Sequence, residues 1–167
     1  MPLHAVFDTV TLLQAAATPS GPAGGCLRLV AEGHVTLHMS EDGFAELEDV
    51  LGRAKVRKRF PLLTDEGVTA FVHGLRSLAD VANAVPIAFR YERDPDDEHI
   101  LNLAVATKVP FVVTRDKDLL DLMAEGNPAG RALTALHPDL QILDPVSFLA
   151  SIAPPTPIED TSSDDSA

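Results

Sequence analysis

Asp8, Asp97 and Asp116, with Glu46 or Glu48, are the side chains whose type and setting point to chemistry. Asp8 follows directly on the apolar run Ala5-Val6-Phe7. Asp116 follows Phe111-Val112-Val113 with only Thr114 and Arg115 between. Carboxylates brought close together repel one another unless protons or a cation neutralise them. Hard divalent ions such as Mg2+ or Mn2+ take oxygen ligands of this kind, and Mg2+ usually keeps waters that can serve a hydrolysis. The plainer reading is that an Asp at a strand end caps the next helix, and Asp96 and Asp97 are ordinary capping residues too. What favours the cation is convergence on one edge of a sheet.

The elements needed for that convergence are legible. Leu3–Phe7, Val35–Met39, Phe111–Val113 and Gln141–Leu143 read as strands, and Val81–Phe89 as a strand region interrupted by Pro86. Helical stretches alternate with them: Thr9–Ala17, Gly24–Ala31, Ser40 to about Leu51, Asp65–Ala79, Asp97 to Thr107, Asp116–Met123 and Pro145–Ile152. Ser40, Thr64 and Asp144 stand as N-caps. Residues 125–139 contain Gly126, Pro128, Gly130 and Pro138 and read as a loop with at most a helical fragment. The βα alternation predicts an α/β fold of three α/β/α layers around a central, mainly parallel sheet. In such sheets ligands bind beyond the carboxyl ends of the strands, where Asp8, Asp116 and the helix after Val35–Met39 all arrive. On the helix from Asp97, positions 101 and 104 are Leu and Ala, so Asp97 lies on the buried side of the first turn. On the helix after Ser40 the apolar stripe is Phe44, Leu47, Val50 and Leu51. Glu46 and Glu48 border it on opposite sides, and periodicity does not choose between them.

Composition sets bounds. The chain has 167 residues, 46% of them hydrophobic, enough for one domain with its own core. Residues 1–152 form that unit, and 153–167, rich in Pro, Thr, Ser and Asp, are expected to be a disordered acidic tail. Cys26 is the only cysteine, so neither an internal disulfide nor a Cys-based zinc site is available. A reducing cytoplasm without a leader is the simplest compartment. No apolar run approaches the ~20 residues of a membrane span. The net charge of −12, of which the tail supplies −4, works against binding nucleic acid in bulk. The run Arg53, Lys55, Arg57, Lys58 and Arg59, and Arg115 beside Asp116, could offset it by meeting phosphates; the plain reading of each is a solvated charge. The six histidines form no HExxH pattern, and Gly21–Gly25 lacks the ending of a phosphate loop.

With these residues in hand the chain resembles a PIN domain, of the VapC-like type found as the toxin of toxin–antitoxin pairs. The resemblance rests on Ala-Val-Phe-Asp-Thr at 5–9, Ser-Glu-Asp-Gly-Phe-Ala-Glu-Leu-Glu-Asp-Val-Leu at 40–51, and Arg-Asp-Pro-Asp-Asp-Glu-His-Ile-Leu-Asn-Leu-Ala at 93–104. Val-Thr-Arg-Asp-Lys-Asp-Leu-Leu at 113–120 and Ile-Leu-Asp-Pro-Val-Ser-Phe-Leu at 142–149 complete it. It implies an Mg2+- or Mn2+-dependent endoribonuclease with Asp8, Glu46, Asp97 and Asp116 as its catalytic acids. Of these, Asp8, Asp97 and Asp116 would be metal ligands. It implies supporting roles for Thr114, Asp94, Asp96 and Asp118, and it favours Glu46 over Glu48. It further implies an RNA substrate, a cognate antitoxin and a homodimer. One position departs from the family pattern: Val10 stands where Asn is usual, and valine offers the acids no hydrogen bond. A PIN-fold binding module with little catalysis is therefore the alternative. A haloacid-dehalogenase-like phosphatase needs a second Asp at position 10, and a receiver domain needs an acidic pair and a lysine that are not found in order.

Overall fold

The computed structural model describes residues 1–152; the expected acidic tail, 153–167, lies outside the described residues. Five strands build the sheet: β1 (Leu3–Phe7), β2 (Val35–Ser40), β3 (Asp80–Ala82), β4 (Phe111–Val113) and β5 (Gln141–Leu143). They run in the order β3-β2-β1-β4-β5, and every pairing is parallel. The chain steps outward from β1 through β2 to β3, then crosses back and steps outward through β4 to β5. The winding reverses between β1 and β4, and their carboxyl ends are level, with Phe7 opposite Val113.

Helices cover both faces. α1 (Thr9–Ala17), α2 (Pro22–Ala31), α3 (Glu41–Gly52), α5 (Asp65–Leu78) and α9 (Pro145–Ile152) lie on one side. Their Leu12, Val30, Phe44, Leu47, Leu75 and Phe148 pack with Ala5, Phe7, Leu37 and Val113 of the strands. α6 (Glu98–Thr107), α7 (Lys117–Leu120) and α8 (Pro128–Leu136) lie on the other, where Ile100, Leu101, Leu119 and Leu133 meet Val6, Val112 and Ile142. Alternate residues of one strand thus feed opposite cores, the pattern of a sheet buried on both faces. The expected three-layer α/β/α architecture is the one found. Ser40, Thr64 and Asp144 each accept a backbone N–H from three residues on, the N-cap bonds expected of them. No helix among the described residues is long and apolar enough to cross a membrane.

Three segments differ from expectation. The strand region expected over 81–89 is only β3, Asp80–Ala82, and residues 83–94 run irregularly. Pro86 cannot donate to a ladder. The amides of Ala88 and Phe89 are instead bound at 2.8 Å by Oδ1 of buried Asn102 on α6. The expected loop over 125–139 contains a nine-residue helix, α8. Asn127 caps it by accepting the Gly130 N–H, Pro128 occupies its first turn, and Leu133 is fully buried. The glycine that argued for a loop is there for contact: a Cβ at Gly130 would run into the Leu122 carbonyl. The basic segment folds as a short helix, α4 (Ala54–Arg59).

Gly24 is a similar point of close approach, because a Cβ there would collide with the backbone of Pro19. Gly24→Ala should cost about 1–3 kcal/mol of stability in a denaturant titration. Gly52→Ala, where nothing lies within 4 Å of the new methyl, should cost nothing and can gain from helix propensity. Equal effects would mean that the α1–α2 turn yields freely.

Candidate metal centre

The carboxyl edge at the β1–β4 junction is organised around one hydroxyl. Asp8 caps α1, its Oδ1 accepting the Thr11 N–H at 2.8 Å. Its other oxygen accepts the hydroxyl proton of Thr114, which is itself fully buried. The same Thr114 oxygen accepts the backbone N–H of Asp116 at 2.9 Å. The backbone N–H of Asp8 in turn donates to Val113 at 3.1 Å. Asp8 is only 3% exposed. Burial pushes its carboxyl above the usual range, opposed by the bonds from Thr11 and Thr114 and abetted by the nearby charge of Asp116. The capping reading and the site reading of Asp8 are therefore not exclusive, since each oxygen serves one of them.

Above this buried layer, carboxylate oxygens of Asp94, Asp97 and Asp116 lie within 4.8 Å of one another. Asp97 ends a tight turn, Pro95–Asp97, that opens α6, and Asp116 precedes α7. The Asp97 carboxyl is pushed up to about 9, first by burial, then by hydrogen bonds to Asp116 and Asp94 that only its protonated form can donate, then by their charges. In the absence of a cation a proton thus holds the cluster together. The residues fit a hard divalent ion: the donors are all carboxylate oxygens and all half-buried. Asp94, expected only to support the site, stands inside the cluster, whereas Asp8 stands behind it through Thr114. Asp96 is exposed and outside the cluster. Asp118 is turned to Arg93 at 2.6 Å, and its amide donates to Asp116 Oδ1 at 2.9 Å.

Glu46 reaches this edge from α3, and Glu48 is exposed. Glu46 Oε2 accepts the Thr9 hydroxyl at 2.8 Å and lies 2.6 Å from His99 Nε2. The bond to His99 is the main cause holding its carboxyl below the usual range, with a contribution from Thr9 that burial opposes. Sequence reasoning missed this contact of Thr9, Glu46 and His99. The partners are 37 and 53 positions apart, and no periodicity relates them. The buried Nδ1 of His99 has no partner among the described residues.

The basic residues divide. Arg53 pairs with Asp49 at 2.8 Å on α3. Arg57 is committed to the fold: it donates to the carbonyls of Leu51 and Leu63 and pairs with Asp65 at 2.9 Å, tying the end of α3 to the start of α5. Lys55, Lys58 and Arg59 are exposed and in no ion pair among the described residues, as is Arg115. Val10 is 46% exposed on the first turn of α1.

A sequence model described as a PIN domain matches residues 4–118, a span holding Asp8, Glu46, Asp94, Asp97 and Asp116. Comparison with curated proteins and with solved structures found no match.

Asp97 has a folded pKa of about 9 against an ordinary 3.8. Its carboxyl therefore favours the fold fully below pH 3.8, and that contribution fades as pH climbs towards 9. In EDTA, the melting temperature of the wild type should fall across this window more steeply than that of Asp97→Asn. At the alkaline end the variant should melt higher, by roughly 2–4 °C for each ~1 kcal/mol of relieved repulsion. Parallel pH profiles would show that the three acids do not crowd one another.

Proposed function

Since the chain belongs to the PIN domain family, whose members are nucleases as a rule, we propose that it is an Mg2+- or Mn2+-dependent endoribonuclease. Residues 1–152 are the nuclease domain in this reading. The observation that carries it is the trio Asp94, Asp97 and Asp116, within 4.8 Å, at the edge where the sheet reverses its winding. That edge is where open α/β sheets bind ligands.

Asp97 and Asp116 would hold the cation, with Asp94 beside them and Asp8 fixing Asp116 through Thr114. When bound, the cation would acidify a water and neutralise charge on the phosphate oxygens. The rest falls to the chain's own groups. Asp8, bonded on both oxygens, keeps β1 and β4 in register beneath the site. Glu46 is held ionised by His99 and Thr9, and its Oε1, free of both bonds, can orient the attacking water and accept its proton. Attack at phosphorus forms one P–O bond and breaks another, and the departing ribose oxygen is protonated from solvent. Lys55, Lys58, Arg59 and Arg115 are exposed cations able to meet the strand's phosphates despite the acidic net charge.

The toxin role in a toxin–antitoxin pair, with a cytoplasmic location, an antitoxin partner and a homodimer, is the finer proposal that the VapC-like motifs support. The second reading, an RNA-binding module with weak catalysis, rests on Val10. Thr9 answers it in part, because its hydroxyl gives Glu46 a polar contact from the same turn.

Purified protein should cut single-stranded RNA in Mg2+ or Mn2+ and stop in EDTA. Asp97→Asn and Asp116→Asn should each lower the rate about 100-fold or more, as losing one preorganised electrostatic group does. RNA bound by wild type but left intact with either ion would instead favour the binding module.

A further inference from the structure

Beside the acids lies a cavity of about 210 Å3, bounded by Ser40 at the end of β2, Asp42 of α3, Glu98, His99 and Asn102 of α6, and Val85, Ile87 and Pro95 of the segment between β3 and α6. We infer that this cavity is a base-reading subsite that takes one unstacked cytosine or adenine of the RNA strand, adjoining the phosphate to be cut. The inference rests on the ribonuclease reading above and deepens it.

Three observations carry it. The first is continuity: Pro95 and His99 stand two residues either side of Asp97, so a base in the cavity belongs to a nucleotide next to the acidic cluster. The second is size and lining. The volume falls short of the about 300–1,000 Å3 of sites for larger ligands and suits a single ring system. Ile87, Pro95 and the His99 ring offer the flat and apolar surfaces against which unpaired bases lie. The third is rigidity. Ile87 is 63% exposed, yet its neighbours are pinned to α6. Asn102 binds Ala88 and Phe89, Glu98 Oε1 accepts the Tyr91 N–H at 2.8 Å, and Asn102 Nδ2 donates to the Phe89 carbonyl at 2.9 Å. Four hydrogen bonds thus hold an exposed isoleucine at the mouth of a polar cavity, where a mobile loop would otherwise be expected.

Of the polar groups lining the cavity, Asn102 is fully engaged, and Glu98 is held by the Tyr91 N–H and lies 3.6 Å from Arg90, so Asp42 and Ser40 are left to choose among bases. Asp42 is an acceptor only. The Ser40 oxygen already accepts the Gly43 N–H at 3.0 Å, which leaves its proton to donate. An acceptor and a donor lining one cavity match, in a pose that sets the base edge across both, the amino group and ring nitrogen of cytosine (N4 and N3) and of adenine (N6 and N1). Uracil in that same pose presents the reverse order, a carbonyl and an N–H, and would meet the Asp42 carboxylate with a lone pair. This is the logic by which carboxylates read amino groups of bases.

The test has two arms using the full chain. In the first, wild type with Mn2+ cuts a mixed-sequence RNA and the ends are mapped. In the second, Asp116→Asn, which should leave strands intact, is titrated with fluorescent eight-nucleotide oligomers of C, A and U, read by anisotropy. Cuts beside C or A, and about tenfold tighter binding of C or A than of U, are expected. Asp42→Asn should bring that ratio close to one, and Ile87→Ala should weaken C and A oligomers together. Equal or absent binding of the three oligomers, or a preference that survives Asp42→Asn, overturns the subsite. If no RNA is cut with any ion, the nuclease reading fails, and the binding ratio still decides the subsite by itself.

Discussion

A parallel pair at the centre of a sheet brings two strand ends to one level, and this chain uses that level to concentrate acid. β1 and β4 are far apart in sequence, but their pairing sets Phe7 opposite Val113, so the residues leaving each strand emerge side by side. Thr114 then joins the two exits, donating to Asp8 and accepting from the backbone of Asp116. A buried hydroxyl with both functions satisfied adds directional constraint to what would otherwise be two diverging turns. Remove the parallel register, and neither the bond nor the cluster above it has a geometric basis.

The cluster itself is an expense of stability. Half-buried carboxylates within 4.8 Å are favourable only with a proton or a cation between them. That the Asp97 carboxyl holds its proton to about 9 expresses this cost. Around it the chain spends its other polar groups in ways that limit the damage. Glu46 is kept ionised by a histidine and a threonine rather than added to the crowd. Asp118 is drawn off to Arg93. The acids thus sort into a crowded trio and separately compensated neighbours, an arrangement typical of sites whose pKa values are displaced for function.

The segment between β3 and α6 shows a buried amide in place of a ladder. Asn102 makes four hydrogen bonds from one side chain, three of them to Ala88 and Phe89. Its burial is tolerable because every one of its donors and acceptors is engaged or nearly so. The result is an irregular stretch as fixed as a strand, which carries Asp94 and Pro95 to the cluster and Ile87 to its flank. Chain that pairs with a side chain rather than another strand is free to turn, and that turning delivers Asp94.

The sequence by itself determined the layers, because apolar runs bounded by Ser40, Thr64 and Asp144 caps are local signals with local causes. It determined which strand ends carry Asp8 and Asp116, and it placed Asp97 on the inner side of its helix by period alone. It misjudged residues 125–139, where the close approach of Gly130 to Leu122, invisible in composition, turns a loop signal into helix packing. It also read 81–89 as a strand, because hydrophobicity does not say which donor an amide will find. Only the tertiary structure decided that Asp94 rather than Asp8 joins the trio, that Glu46 meets His99, and that Arg57 is consumed by two carbonyls and Asp65. Those choices depend on distances between groups dozens of positions apart, and no spacing along a chain encodes a distance across a fold.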